Sequence, residues 1–321
     1  HPEVVQLLCE AGADTNRAPN EHDTPLSIAA HEGHVDVIQV LCNWGVDTDK
    51  AMASGKTALL VAAHDGHVDV VQSLCSLGAD KDKPMQNGAT PLLIASQKGH
   101  LEVVQSLLSA RADKNKSIPE GVTPLFIASQ KGHVKLIELF LSLGVDMDKA
   151  THFGATPLYI ASQGGHADIV ARLLEASADK DKERQHSATP VLVASQRGHT
   201  EVVRLLLAAG VDKDRAMQGG GTPLHMAAEN GHAEITQLLC DAGAEKDKVD
   251  EKGRTPMFAA SRKGFACVIR VLRDAAADLE KSALDGATPF SIASQRGHSE
   301  IMQLLHGDGT DNGEAARESE A

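Results

Sequence analysis

The sequence predicts an all-α repeat solenoid of helix-turn-helix units with projecting β-turn fingers, and three observations predict it. Thr recurs every 33 residues, at Thr24, Thr57, Thr90, Thr123, Thr156, Thr189, Thr222, Thr255 and Thr288, and Pro follows it everywhere except at Ala58. Ten residues after each Thr stands a His preceded by Gly, from His34 to His298, with Phe265 the single replacement. Around these marks lie two short apolar runs with helical spacing. One such helix pair cannot bury its own apolar face, so neighbours must stack into a one-dimensional array.

Each element has a local cause. Thr caps the first helix, because its hydroxyl can accept from a free first-turn N–H, and Pro suits the next position, which needs no donor. The first helix carries small and apolar residues, as in Pro91-Leu92-Leu93-Ile94-Ala95-Ser96, with an unbroken Ala column from Ala29 to Ala293 that allows close helix approach. Gly33 and its equivalents break the chain before a second helix such as Leu101–Leu108. Its first turn is acidic in eight of ten copies (Glu3, Asp36, Asp69, Glu102, Asp168, Glu201, Glu234, Glu300), which suits the positive end of the helix dipole. Gly78 and its counterparts end that helix, and a polar segment with a turn Gly leads on. The frame divides the chain into a partial repeat at 1–18, nine repeats at 19–306 and an acidic, flexible tail at 307–321. His1 to Leu8 form a second helix without its first, the expectation for a longer protein cut within a repeat.

The motif G-x-T-P-L-x-x-A-A/S-x-x-G-H-x-x-V-V-x-x-L-L-x-x-G-A-D resembles the ankyrin repeat, from residue 1 to about 306. The first-helix His of that family's T-P-L-H survives only as His225; Leu60, Leu93, Phe126, Tyr159, Leu192 and Phe258 stand elsewhere, so packing should replace a hydrogen bond that braces the turn. Turn Gly is lost at His22 and Ser187, and helix-ending Gly at Arg111, Ser177 and Ala276, which puts local stability in question there.

Composition narrows the function classes. Lys and Arg number 31 against 44 acids, a formal charge of −13, which argues against a nucleic-acid backbone or an anionic bilayer as partner. Aromatic residues are too scarce for base stacking, and no run of about 18 apolar residues exists to span a membrane. Five Cys in so long a chain are no disulfide framework; with Cys9, Cys42, Cys75 and Cys240 in one column they read as packing residues, and a reducing compartment, cytoplasmic or nuclear, fits.

No pattern of catalytic, cofactor or metal residues emerges. The His column is spaced by the helix-stacking distance, roughly 8–10 Å, far beyond Zn–N bonds of about 2.0–2.1 Å. His31 with His34, and His64 with His67, form two H-x-x-H pairs beside Glu32 and Asp65, but a loop Gly separates each pair and H-E-x-x-H is not met. Gly55-Lys56-Thr57 lacks the earlier Gly of a phosphate loop. Asp-x-Asp-Lys recurs, as at Asp80-Lys81-Asp82-Lys83, without the Glu a calcium loop requires; a solvated ladder of alternating charge is expected instead.

The resemblance implies a non-enzymatic protein-binding scaffold whose finger tips and exposed first-helix ends line a concave groove. By position the helix ends are His31, Glu32, His64 and Asp65, then Gln97, Lys98, Gln130, Lys131, Gln163 with Gly164, Gln196, Arg197, Glu229, Asn230, Arg262, Lys263, Gln295 and Arg296. The groove should therefore run from acidic or neutral to mildly basic, which favours an extended acidic or polar protein segment bound to a monomer. Two other readings stay open: the targeting arm of a larger enzyme such as a ubiquitin ligase or kinase, or an elastic spacer or cytoskeletal tether, which the near-uniform Gln-Lys and Gln-Arg pairs would suit. At a finger tip, Phe153 is the one large apolar residue of its column, beside His152. Either it folds back onto Val122 or Tyr159, or it stands out as an aromatic anchor for the partner.

Overall fold

The computed structural model describes residues 1–16 and 23–306, which fall into two compact units, His1–Pro157 and from Leu158 onward. The acidic tail and the first finger with His22 lie outside the described residues. The first unit holds α1 (Pro2–Glu10), α2 (Pro25–His31), α3 (Val35–Asn43), α4 (Ala58–Asp65), α5 (Val68–Ser76), α6 (Pro91–Lys98), α7 (Leu101–Ser109), α8 (Pro124–Lys131) and α9 (Val134–Ser142). Its first helices α2, α4, α6 and α8 pack in succession, each also against its own second helix, while α1, α3, α5 and α7 form the other layer.

The second unit repeats this pattern. α10 (Pro157–Gly164) and α11 (Ala167–Glu175) precede a short 3-10 turn, Gln185–Ser187. Then follow α12 (Pro190–Arg197), α13 (Thr200–Ala208), α14 (Pro223–Glu229), α15 (Ala233–Asp241), α16 (Pro256–Lys263), α17 (Ala266–Asp274), α18 (Pro289–Arg296) and α19 (Ser299–His306). First helices α12, α14, α16 and α18 again stack in one layer, second helices α11, α13, α15, α17 and α19 in the other. No strand occurs among the described residues; Arg184 and Ala188 make one isolated bridge.

The local signals act as their chemistry demands. Thr57, Thr90, Thr123, Thr189 and Thr255 each accept from the backbone N–H three residues on. Where His225 stands, its Nδ1 meets Thr222 and its Nε2 donates to the Arg254 carbonyl at 3.0 Å. The apolar residues at that position, such as Leu60, Phe126 and Phe258, are buried as expected. Ser27 and Ser291 extend the pattern: each hydroxyl accepts from the capping Thr N–H at 2.9 Å, so the brace survives there in a smaller form.

Two columns join neighbouring repeats. His67, His100 and His133 donate from Nε2 to the carbonyls of His31, His64 and Gln97, and His199, His232 and His298 to those of Gln163, Gln196 and Arg262. These carbonyls lie in the last turn of a helix, where no N–H of the helix reaches them. The Asp-x-Asp-Lys segments form a backbone ladder instead of the expected alternating charges. Asp80 N–H donates to Asp49 Oδ1 at 2.9 Å, Asp113 N–H to Asp82 Oδ1 at 3.0 Å, and the Lys83 and Lys116 ammoniums reach the Asp49 and Asp82 carbonyls. The same bonds recur at Asp214 and Asp247 in the second unit. Exposed pairs of alternating charge would add little of their own.

The lost glycines leave a trace. Arg111, Ser177 and Ala276 keep the left-handed backbone of the Gly they replace, with φ of 66°, 68° and 59°. His186 and Ser187 do the same in the finger without its turn Gly, at φ of 63° and 57°. An L side chain there costs about 1–2 kcal/mol.

Candidate partner-binding groove

Most first helices end on a left-handed Gly, as α4, α6 and α8 do at Gly66, Gly99 and Gly132. The two residues before that Gly therefore close the last turn of the helix. Each finger is closed by its own bonds, such as Met85 N–H to the Ala89 carbonyl and Gly88 N–H to the Met85 carbonyl, both 2.9 Å.

In the first unit the structure joins three of the four unusual groove residues. Asp65 holds His31 Nδ1 on one carboxylate oxygen at 2.8 Å and His64 Nδ1 on the other at 2.6 Å, so one carboxylate ties the ends of α2 and α4. Burial alone would push the Asp65 carboxyl up, but the hydrogen bonds from His64 and His31 hold it below its ordinary value. The same bond, with the Asp65 charge, raises the pKa of His31. The H-x-x-H spacing thus misleads: His31 and His64 share Asp65 across repeats, whereas His67 bonds the His31 carbonyl. Glu32 stays exposed. A cavity of about 330 Å³ opens beside the clamp, lined by Ile28, Met52 and Val61 with Lys56 at its polar edge.

Farther along that unit, Gln97 is half-buried and Gln130, Lys98 and Lys131 are exposed. At the last finger the His152 N–H donates to the Glu120 carbonyl at 3.0 Å. Phe153 is 52% exposed, so the packed-tip reading fails. The finger is pinned through its backbone, which leaves the ring outside.

In the second unit Gln163 is half-buried, while Gln196, Arg197, Lys263, Gln295 and Arg296 are exposed. Asn230 donates to the Met226 carbonyl at 2.8 Å. Arg262 departs from the expected basic character: Glu229 accepts from its guanidinium at 2.6 Å, and the two charges cancel. Beside this pair, Arg254 Nε donates to Asp250 at 2.7 Å. Burial would raise the Asp250 carboxyl, but bonds from Arg254 hold it low. Burial pushes the pKa of neighbouring His225 down.

Sequence reading singled out His225 as a turn brace but passed over its neighbours Asp250 and Arg254, and also Leu284, a finger-tip side chain 81% exposed. The signal that would have found Arg254 is departure from the chain's own repeat pattern, the one that marked His225. The Cys residues are free thiols, and burial pushes Cys240 up to about 11, away from thiolate chemistry. Among the described residues, no group of three or more His, Cys, Asp or Glu is placed to hold a metal ion, and no helix is long and apolar enough to cross a membrane.

The family model described as ankyrin repeats (3 copies) matches residues 1–52, 45–118, 110–185, 178–250 and 242–315. Among curated proteins, none matches the chain.

Proposed function

The chain belongs to the ankyrin repeat family, whose repeats are generally protein–protein interaction modules and typically non-catalytic, and on that premise we propose that it is a scaffold binding a partner protein. The ligand is an extended acidic or polar segment laid along the first-helix ends and finger tips. One observation carries this reading. Lys98, Lys131, Arg197, Lys263 and Arg296 occupy one repeat position, are exposed, and have no ion-pair partner among the described residues. Elsewhere the cations are mixed: Arg204, Arg215, Arg254 and Arg270 are each paired with an acid, while exposed Lys135 and Lys252 have no ion pair among the described residues. A chain of net charge −13 has acids to spare, so cations left unpaired in one column are available to a partner. The free thiols accord with a reducing compartment, the cytoplasm or nucleus.

Affinity capture with the chain as bait, followed by mass spectrometry, tests the reading. A partner retained by the natural sequence and lost on Lys98→Glu with Lys131→Glu supports it. Partners captured equally by both would remove the groove from the account.

A further inference from the structure

Because the 33-residue frame holds without insertion, one pair of repeats can be laid on another residue by residue. Around α6 and α8 one place in the pair is a packed apolar cluster. Leu93, Ala89 and Ile127 are buried in it, and Ile94, Ile118 and Val122 pack against them. Two periods of 33 earlier, the same six positions carry Ser27, Asp23, Val61, Ile28, Met52 and Lys56. All six line the cavity of about 330 Å³ beside the Asp65 clamp. Met85, the seventh member of the filled cluster, corresponds to Pro19, which lies outside the described residues.

Ser27 in place of Leu93 supplies the room. Its hydroxyl donates to the Thr24 carbonyl and accepts from the Thr24 N–H, both at 2.9 Å, so it offers an occupant nothing. The floor stays apolar and open: Ile28 is 50% exposed, and Met52 and Val61 are half-buried. Covering such surface is favourable. Size and charge narrow the occupant. The cavity falls within the roughly 300–1,000 Å³ of ligand pockets and, at roughly 30 Å³ per water-sized group, holds about ten non-hydrogen atoms. An aliphatic side chain would leave much of it empty, whereas an indole or phenol ring fills it. Opposite charges share the rim: Asp23 and Asp65 line it with Lys56 and with His31, whose pKa the Asp65 bond raises. A cationic side chain would meet Lys56 and an anionic one Asp23, so a neutral group is favoured. Asp23 has no hydrogen bond or ion pair among the described residues and is open to a donor. Trp and Tyr combine a large apolar body with one such donor, and the Met52 thioether suits an aromatic neighbour.

We infer that this cavity receives a Trp or Tyr side chain of the partner segment, its ring on Ile28, Met52 and Val61 and its N–H or O–H donated to Asp23. The inference rests on the scaffold reading and adds to it an apolar anchor that the exposed helix ends do not supply.

The probe is acetyl-Gly-Ser-Trp-Ser-Gly-amide, with Leu, Arg and Ala twins, titrated into the whole chain and followed by methionine methyl NMR. Met52 lines the cavity, and Met217, in the second unit, is the reference. The Trp peptide should bind at least about tenfold more tightly than the Ala and Arg twins. It should also outbind the Leu twin and move the Met52 methyl upfield by its ring current, with Met217 unmoved. Ser27→Leu restores the residue of the filled site, so it should raise the denaturation midpoint and abolish the Met52 shift. Asp23→Ala should weaken the Trp peptide about threefold or more and leave the Leu twin unchanged. A Trp peptide that leaves Met52 unmoved, or that Ser27→Leu still binds, overturns the pocket. An Arg or Leu twin bound as tightly as Trp overturns the aromatic occupant. Should Ser27→Leu misfold, the ring-current shift and the Asp23→Ala comparison decide. A captured partner lost on Lys98→Glu with Lys131→Glu but kept in full by Ser27→Leu overturns the pocket and spares the groove. Trp binding at Met52, with capture indifferent to those two Glu substitutions, overturns the groove and spares the pocket.

Discussion

The imidazole Nε2 of His100 donates to the backbone carbonyl of His64, 3.0 Å away. That carbonyl sits at the end of α4, where the helix leaves it without a donor. The ring reaches it by lying over Gly66, whose hypothetical β-carbon would fall 2.9 Å from the imidazole. Gly and His of the recurrent pair therefore serve different contacts: His67, His100, His133, His199, His232 and His298 each belong with the Gly of the repeat before.

Gly99 and Gly78 separate the two roles of glycine. Both are left-handed, at φ of 83° and 91°, but a β-carbon on Gly99 would meet His133 at 2.6 Å while one on Gly78 meets nothing. Gly78→Ala should cost about 1 kcal/mol, the conformational part alone. Gly99→Ala should cost about 2–4 kcal/mol, because the His133 ring must also move. Urea melts that give equal losses would show that the stacked ring is not holding the repeats.

Ala276→Gly runs the other way. Ala276 holds a φ of 59° where other repeats place Gly. Relief of that strain should outweigh the added freedom of the unfolded chain and stabilise by about 0.5–1 kcal/mol. A denaturation midpoint that falls instead would mean the residue is not strained.

Leu107 and Leu8 occupy the same repeat position with opposite burial, 0% and 55% exposed. Leu107→Ala should cost about 2–5 kcal/mol. Leu8→Ala should cost well under half of that, since α1 has few apolar neighbours to lose. Similar losses in denaturant would contradict stability carried by stacking between repeats.

The His31–Asp65 pair sets a pH window. His31 has a pKa above its ordinary 6.5, so its contribution is fully present below 6.5 and is lost as pH rises through the raised value. Asp65 has a pKa below its ordinary 3.8, so its contribution is present above 3.8 and is lost as pH falls through the lowered value. Titration of the His31 ring by NMR should show the raised pKa, and Asp65→Asn should return it toward 6.5. An unchanged His31 titration in that variant would dissolve the clamp.

Phe153→Ala should leave the melting midpoint almost unchanged, because the ring is half exposed. Partner affinity should fall by about 2 kcal/mol if the ring is a binding anchor. Calorimetry on a captured partner decides: unaltered binding makes Phe153 an ordinary surface residue.

The fold was legible because each signal acts within one repeat. The Thr cap, the Pro after it, the Ala column and the Gly stops are satisfied by neighbours a few residues away, and ninefold repetition at a 33-residue spacing multiplies a weak local preference into a certain period. The places where the first helices end were equally legible, since a left-handed Gly stops each of them. What sequence could not decide was which of those side chains meet one another. Asp65 with His31, Arg262 with Glu229, and Asp49 with Asp80 are 31 to 34 residues apart, and their pairing follows from how closely one repeat seats on the next. The exposure of Phe153 was open for the same reason: a backbone bond from His152 to the neighbouring finger fixes that tip. Local chemistry chose the repeat unit, and only the stacking of one repeat on the next determined which charges cancel and which stay exposed without an ion-pair partner.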